Sequence, residues 1–218
     1  MIFSDHGMAE ISTQRLINVT DILTPDLYET IMESGPVMSV YVPKEDKDKE
    51  NEVLEKLRHF HPNMTCYRRE ELPARWQYAA GRYVAPVTCV ADLGWFILHP
   101  LQPQLWMRAS DGKLLEGEHG YDVNYKEMWA IFYGLGPAFI PRAKVDQVNA
   151  VDLYPVMCRL AGLKPLPYQG KGRHLNQLLQ PGWRVNSSPT PTPFVALTTG
   201  AALTTALLLN RALLRVLF

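Results

Sequence analysis

The 218-residue sequence has few cysteines and no surplus of either charge. Cys66, Cys89 and Cys158 are too few for a disulfide-dense scaffold, and their spacing matches no CxxC or other metal-ligand pattern. An odd count leaves at least one thiol free, or paired outside the chain. Lysine and arginine together number 22, as do aspartate and glutamate, giving a net charge of zero. There is no Lys/Arg-rich block either, so the basic footprint of a nucleic-acid-polymer binder is missing. Met1-Ile2-Phe3 runs directly into Ser4-Asp5-His6-Gly7, an opening in which no signal peptide is expected. What remains is a globular composition, 47% hydrophobic and 20% charged, which excludes wholesale disorder.

The C-terminal end is unlike the rest. Phe194 to Leu209 is 16 residues without a charge, followed by Arg211 and Arg215. A spanning helix needs about 20 apolar residues, a length reached here if the two arginines snorkel to the interface. A Pro-rich spacer of extended character, Asn186 to Pro193, precedes the run. Three N-x-S/T triplets begin at Asn18, Asn63 and Asn186, and as N-glycosylation acceptors they favour an extracellular domain. The expectation is a cell-membrane protein with a single type I span: domain 1–180, linker 181–193, transmembrane segment and short tail 194–218. A GPI signal around Ser187-Ser188 is the alternative anchor, and a buried or amphipathic C-terminal helix the third possibility.

Along the chain, Thr24-Pro25-Asp26 reads as an N-cap with proline at the first helical position, continuing through Leu27 and Ile31. Val37–Val42 reads as a strand. Lys44–Asn51 reads as a solvated charge run leading into a helix over 52–60, with Val53, Leu54, Leu57 and Phe60 on one face. Met64–Arg68 is a strand, and Tyr83–Leu98 suggests two strands turning at Asp92-Leu93-Gly94. Val148–Leu163 predicts a helix with Val151, Tyr154, Met157 and Leu160 aligned, stopped by Gly162. The mixture predicts an α/β layered sheet.

Two segments carry chemistry. In Ser4-Asp5-His6-Gly7-Met8, a carboxylate and an imidazole follow a strand and precede a glycine that permits a sharp turn. Oxygen and nitrogen donors at a strand's carboxyl end suit Zn²⁺. The competing reading is a capping aspartate beside a surface histidine. In Gly117-Glu118-His119-Gly120-Tyr121-Asp122, a histidine sits between glycines on a loop that allows close approach. The competing reading there is a flexible surface turn. His59, His61, His99 and His174 lack such neighbours and read as surface or packing residues.

Together, in order, S-D-H-G-M and G-x-H-G-Y-D resemble the ectonucleotide pyrophosphatase/phosphodiesterase family of the alkaline phosphatase superfamily. Gly136-Pro137-Ala138-Phe139, the segment Val151-Asp152-Leu153-Tyr154-Pro155, the segment Ser12–Asn18 and Leu72-Pro73-x-Arg75 extend the likeness over about residues 1–180. The resemblance implies the C-terminal part of an alkaline-phosphatase-like three-layer α/β sandwich, followed here by the hydrophobic C-terminal helix. It also implies two zinc ions and a threonine nucleophile that cleave phosphodiester or pyrophosphate bonds of small nucleotides. Asp5 and His6 match the pair on the zinc that activates the nucleophile, and His119 matches a ligand of the other zinc. Val123 stands where the family commonly has asparagine, which puts local loop hydrogen bonding in question. The family's nucleophile and remaining ligands precede S-D-H-G-M, and Thr20, Thr24, Thr65 and Thr88 lie in unmatched contexts. No catalytic nucleophile is therefore assigned, and the chain alone is expected to be inactive. A dead, membrane-tethered ectodomain used for binding or adhesion is the alternative from another class, and a sulfatase or phosphomutase relative the third.

Overall fold

Seventeen prolines and fourteen glycines interrupt the chain every few residues, and its strands are correspondingly short. The computed structural model describes residues 1–43, 46–102 and 116–186. It forms two compact units, Met1–Tyr133 and Gly134 onward. The first contains β1 (Ile2–Phe3), β2 (Ala9–Glu10), β3 (Leu16–Asn18), β4 (Thr30–Met32), β5 (Val37–Tyr41) and α1 (Lys47–Arg58). It continues with β6 (Met64–Arg68), β7 (Val87–Ala91), β8 (Phe96–Leu98), β9 (Gly117–Glu118) and β10 (Phe132–Tyr133).

The largest sheet has the order β4-β5-β7-β6, antiparallel throughout. Its inner strands bury Met38, Val40, Val87 and Cys89 together with the intervening Ser39 and Thr88. Its edge strands alternate instead, Ile31 in β4 and Met64 and Cys66 in β6 facing inward. Among the described residues, parallel pairing is confined to β3 with β8. The α/β expectation is met as a mixed fold. The turn at Asp92-Leu93-Gly94 does not make a hairpin, since β8 leaves the sheet to pair with β3.

Cys66 and Cys89 lie directly opposite in the β6–β7 register, with Cα atoms 4.0 Å apart, and form a disulfide. Pairing could not be assigned from spacing alone, because register is what brings the two thiols together. Cys158 is a buried free thiol.

Helix α1 starts inside the charge run, five residues earlier than its apolar pattern implies. Asp46 caps it by accepting from Lys49 N (3.0 Å), with acidic Asp48 and Glu50 in the first turn and basic Lys56 and Arg58 in the last. Its inner face is Glu50, Val53, Leu54 and Leu57, spaced i, i+3, i+4, i+7. Glu50 is tolerated there because it receives Lys47 Nζ at 2.8 Å and Arg68 Nη1 at 3.1 Å. The helix ends at Arg58, so Phe60 turns outward rather than joining the face.

No helix forms at Thr24-Pro25-Asp26. One turn closes there (Leu27 N to Thr24 O, 3.0 Å), and then Glu29 N donates to Tyr41 O and strand β4 begins. Pairing with β5 takes the backbone donors that a helix would have used. Ile31 is buried, as the spacing implied, but in a strand.

In the second unit, a 3₁₀ turn at Ala150–Asp152 leads into α2 (Leu153–Leu160). Its buried residues are Asp152, Pro155, Val156 and Cys158, whereas Val151, Tyr154 and Met157 are exposed. The expected face is therefore rotated. Its cause is polar: Asp152 Oδ1 accepts from Lys171 N (2.7 Å) and Gly172 N (2.9 Å), turning that side of the helix inward. Gly162 does end the helix, at a positive φ of 70°, and Leu163 N returns to Cys158 O.

Among the described residues no helix is long and apolar enough to cross a membrane; the 194–218 run lies outside them.

Two measurements test this packing. Leu57→Ala should lower unfolding free energy by about 2–5 kcal/mol and Phe60→Ala by less than about 1 kcal/mol, read from urea midpoints. Equal losses would place Phe60 on the buried face. The second concerns His99, buried at 2% exposure with neither ring nitrogen hydrogen-bonded among the described residues. Burial pushes its pKa below the ordinary histidine value, partly opposed by the Glu33 backbone. The unfolded chain thus binds this proton first, so stability is full above about pH 6.5 and falls as pH drops below it. His99→Leu should flatten that part of the pH dependence of the urea midpoint between pH 7.5 and 5.5; an unchanged slope would count against it.

Candidate functional site

The segment Ser4–Met8 leaves β1, which is held antiparallel to β10 by Ile2↔Tyr133 and Phe3↔Phe132. Backbone hydrogen bonds then grip it: Ser4 N to Ile131 O (3.3 Å), Ile131 N to Ser4 Oγ (3.0 Å) and Gly7 N to Met128 O (3.0 Å). A Cβ on Gly7 would lie 1.9 Å from the Glu127 carbonyl oxygen, so no other residue passes here without displacing backbone. With its main chain fixed in this way, the segment projects Asp5 and His6. Asp5 Oδ1 accepts from His6 N at 3.1 Å, and Asp5 Oδ2 lies 3.5 Å from His6 Nε2. His6 Nδ1 is 2.6 Å from the Gly7 carbonyl. A proton on Nδ1 donated to that carbonyl leaves the Nε2 lone pair free, the arrangement that prepares a histidine as a metal ligand.

Strand β2 follows at once and pairs with β9, Ala9 with Glu118 and Glu10 with Gly117. This ladder delivers His119. The His6 and His119 rings stack with centroids 3.5 Å apart and planes inclined by 12°. Glu118 turns its carboxylate back on the loop, accepting from His119 N at 2.9 Å.

Beyond His119 the loop is anchored twice. Tyr121 is buried in the core and donates its hydroxyl to Trp95 O (2.9 Å). Burial pushes the phenol well above its ordinary pKa, with the Glu118 charge adding to the rise, so it stays a protonated donor. Asp122 pairs with Arg75, and its other oxygen accepts from Asn124 N at 2.9 Å. Gly120, at φ 110°, supplies the left-handed turn between histidine and anchors. Val123 is exposed, and its carbonyl accepts from Trp129 Nε1 (2.9 Å), so the loop is hydrogen-bonded without an asparagine there. The Arg75–Asp122 pair escaped residue-by-residue reading. Its partners are 47 positions apart and no periodicity connects them.

The donor set fits zinc in part. Two donors about 2.0–2.1 Å from a tetrahedral zinc are themselves about 3.4 Å apart, close to the 3.5 Å between Asp5 Oδ2 and His6 Nε2. Among the described residues no group of three or more His, Cys, Asp or Glu side chains converges on one point. Of the four threonines set aside above, the Thr88 and Thr20 hydroxyls are buried, while Thr24 and Thr65, the latter on edge strand β6, are exposed. Of the N-x-S/T asparagines, Asn18 is exposed at the end of β3, Asn63 is half-buried, and Asn186 ends the described residues. Ala138 and Phe139 of the Gly-Pro-Ala-Phe segment are buried in the second unit.

Residues 1–122 match the family described as type I phosphodiesterase / nucleotide pyrophosphatase. The chain is 39% identical over 179 residues to human ectonucleotide pyrophosphatase/phosphodiesterase family member 5, covering 82% of itself and 35% of that protein. It is 38% identical over 186 residues to bovine bis(5'-adenosyl)-triphosphatase ENPP4, covering 85% and 38%. The solved structure of human ENPP5 superposes with a TM-score of 0.70 at 36% identity, over 82% of this chain and 44% of that one. An inactive form of the murine protein, solved in complex with AMP, gives 0.69 at 35% identity. The chain thus spans a little over a third of the length of these curated relatives. The family match over more than half of its residues establishes that the chain belongs to the type I phosphodiesterase / nucleotide pyrophosphatase family.

Proposed function

We propose that this chain supplies part of a two-zinc site that hydrolyses phosphodiester or pyrophosphate bonds of extracellular nucleotides. Asp5 and His6 hold one ion and His119 the other. The observation that carries this reading is the His6–His119 stack beside Asp5. The stack brings one imidazole from each motif together with ring centroids 3.5 Å apart, a spacing comparable with the separation of about 3.5–4 Å between the ions of two-metal sites. Zinc bound there would supply Lewis acidity toward a phosphoryl oxygen and the activated nucleophile. The chain's own contribution is orientation. The Gly7 carbonyl fixes the His6 tautomer, Glu118 holds the backbone at His119, and Arg75–Asp122 with Tyr121–Trp95 keeps the loop closed on it.

A catalytic zinc ordinarily takes three protein ligands, so two ions need more donors than the three assigned here. In the complete protein the nucleophile and the other ligands come from the portion of the family fold that precedes S-D-H-G-M. The chain alone is inactive on this reading, and the three-layer arrangement belongs to the complete fold. The names of the relatives, a bis(5'-adenosyl)-triphosphatase and a protein solved with AMP, support small nucleotides as substrates rather than nucleic-acid polymers. Zero net charge agrees. Residues 1–180 form the catalytic part in this proposal, with 181–193 the linker and 194–218 a type I membrane tether, for which the uncharged apolar run is the support.

The test is a chimera that joins the preceding portion of a relative to this chain, assayed with a p-nitrophenyl ester of a nucleoside 5'-monophosphate. Activity should vanish with a chelator, return with zinc, and fall about 100-fold or more in His6→Ala and in His119→Ala. A folded chimera without chelator-sensitive turnover overturns the proposal.

A further inference from the structure

The fold treats its two described N-x-S/T triplets in opposite ways. At Asn18-Val19-Thr20, the asparagine is the exposed last residue of β3, and its neighbour Val19 is fully buried. Asn18 Oδ1 accepts from Thr20 N at 3.0 Å, a local turn that ties up the oxygen. Its Nδ2 donates to none of the described residues. The Thr20 hydroxyl is buried and has no hydrogen-bond partner among them. A buried, unpaired hydroxyl costs stability, and valine of the same shape would not. The folded state thus gives Thr20 Oγ1 no hydrogen bond among the described residues.

At Asn63-Met64-Thr65 the side chain is already employed. Asn63 Nδ2 donates to Asp92 Oδ2 (3.1 Å), Asn63 O accepts from Asp92 N (2.9 Å), and Asn63 N donates to His61 Nδ1 (3.1 Å). These bonds tie the start of β6 to the end of β7, and His61 packs its ring on Trp95 at 4.8 Å. A glycan on this nitrogen would replace one of its two hydrogens and crowd the half-buried Asp92 carboxylate, so a chain that carries it would fold into the tie with strain.

We infer that Asn18 is an N-glycan acceptor and that Asn63 is a structural tie, so that chains modified at Asn63 before folding fail to close that tie and are absent from the folded, secreted protein. The Asn18 Nδ2 bonds to the anomeric carbon of an oligosaccharide carried on a lipid diphosphate. The carbon–oxygen bond to the diphosphate breaks, the lipid diphosphate departs with the electron pair, and the amide nitrogen loses one proton. Thr20 is read in the unfolded segment; folding then covers its hydroxyl and leaves the glycan outside on the strand end.

The test secretes the full chain behind a heterologous signal peptide from a glycosylating host, with Asn186→Gln in the background. Enzymatic deglycosylation and peptide mass spectrometry should find one glycan, at Asn18, and none at Asn63. Asn18→Gln and Thr20→Val should each abolish it. Produced in a host that does not glycosylate, Thr20→Val should have an unfolding midpoint equal to or above that of the unsubstituted chain, while Asn63→Gln should have a lower one. Occupancy at Asn63, an unmodified Asn18, or a Thr20→Val chain destabilised without glycan would each overturn the inference. None of these readouts depends on hydrolytic activity, so they stand or fall apart from the proposed enzymatic function.

Discussion

Two residues of β2 pair with two residues of β9, and the candidate site depends on that ladder. It joins positions more than a hundred residues apart, so its closure entropy must be met by more than two residue pairs can return. The return comes from packing on either side. Ala9 and Ile11 enter the core immediately after the Asp5-His6 segment, and Tyr121 enters the same core two residues after His119. Each histidine-bearing loop is thus stapled to one hydrophobic mass, and the two histidines stack together. Losing the core contacts of Tyr121 would cost the site its geometry before it cost the protein its fold.

Polar groups inside this chain divide into those that are answered and those that are not. Glu50 sits on the sheet-facing side of α1 with two cations, Asp122 has Arg75, and Asp152 has two backbone donors on one of its oxygens. Each fixes an angle that apolar packing alone leaves soft, most clearly the rotation of α2. His99 and Thr20 are different. Their buried atoms lower stability without a visible return in the folded state. For His99 the consequence is a pH dependence, and for Thr20 it is a reason to look at what the chain does before it folds.

Much of this organisation is legible in the residues themselves. The central strands are legible within the stretches Val37–Val42 and Tyr83–Leu98, where apolar residues dominate and burial on both faces takes even Ser39 and Thr88 inside. The two histidine motifs are legible because glycine beside histidine is a local pattern. What stays hidden is non-local. Cys66 meets Cys89 only through register, Arg75 meets Asp122 across 47 positions, and β8 abandons its apparent hairpin partner for β3. Two errors share one cause, apolar spacing read without its competitors. Leu27 and Ile31 fit a helix but strand pairing claims the backbone, and Val151, Tyr154 and Met157 fit a helix face but Asp152 turns the other side inward. Apolar periodicity says how many residues want burial; where a carboxylate or a ladder also acts, it does not say which.

The same separation of roles explains how the Asp5, His6 and His119 side chains are held. A coordination shell can create its own order, and in small zinc-dependent folds the metal supplies the folding energy. Here the order has other sources. The Gly7 backbone lies too close to Glu127 to shift, the His6 ring is set by its own following carbonyl, and His119 rides on a ladder closed by Tyr121 and Arg75. Donors held in this way give up little further freedom when a cation arrives, so more of the coordination energy remains as affinity. On the proposed two-zinc reading, that advantage reaches only as far as the donors do: two for one ion and one for the other. What the chain would contribute to such a centre is accordingly preorganisation of its own three side chains. On the same reading, the affinity that completes a catalytic zinc would come from the ligands that these three do not supply.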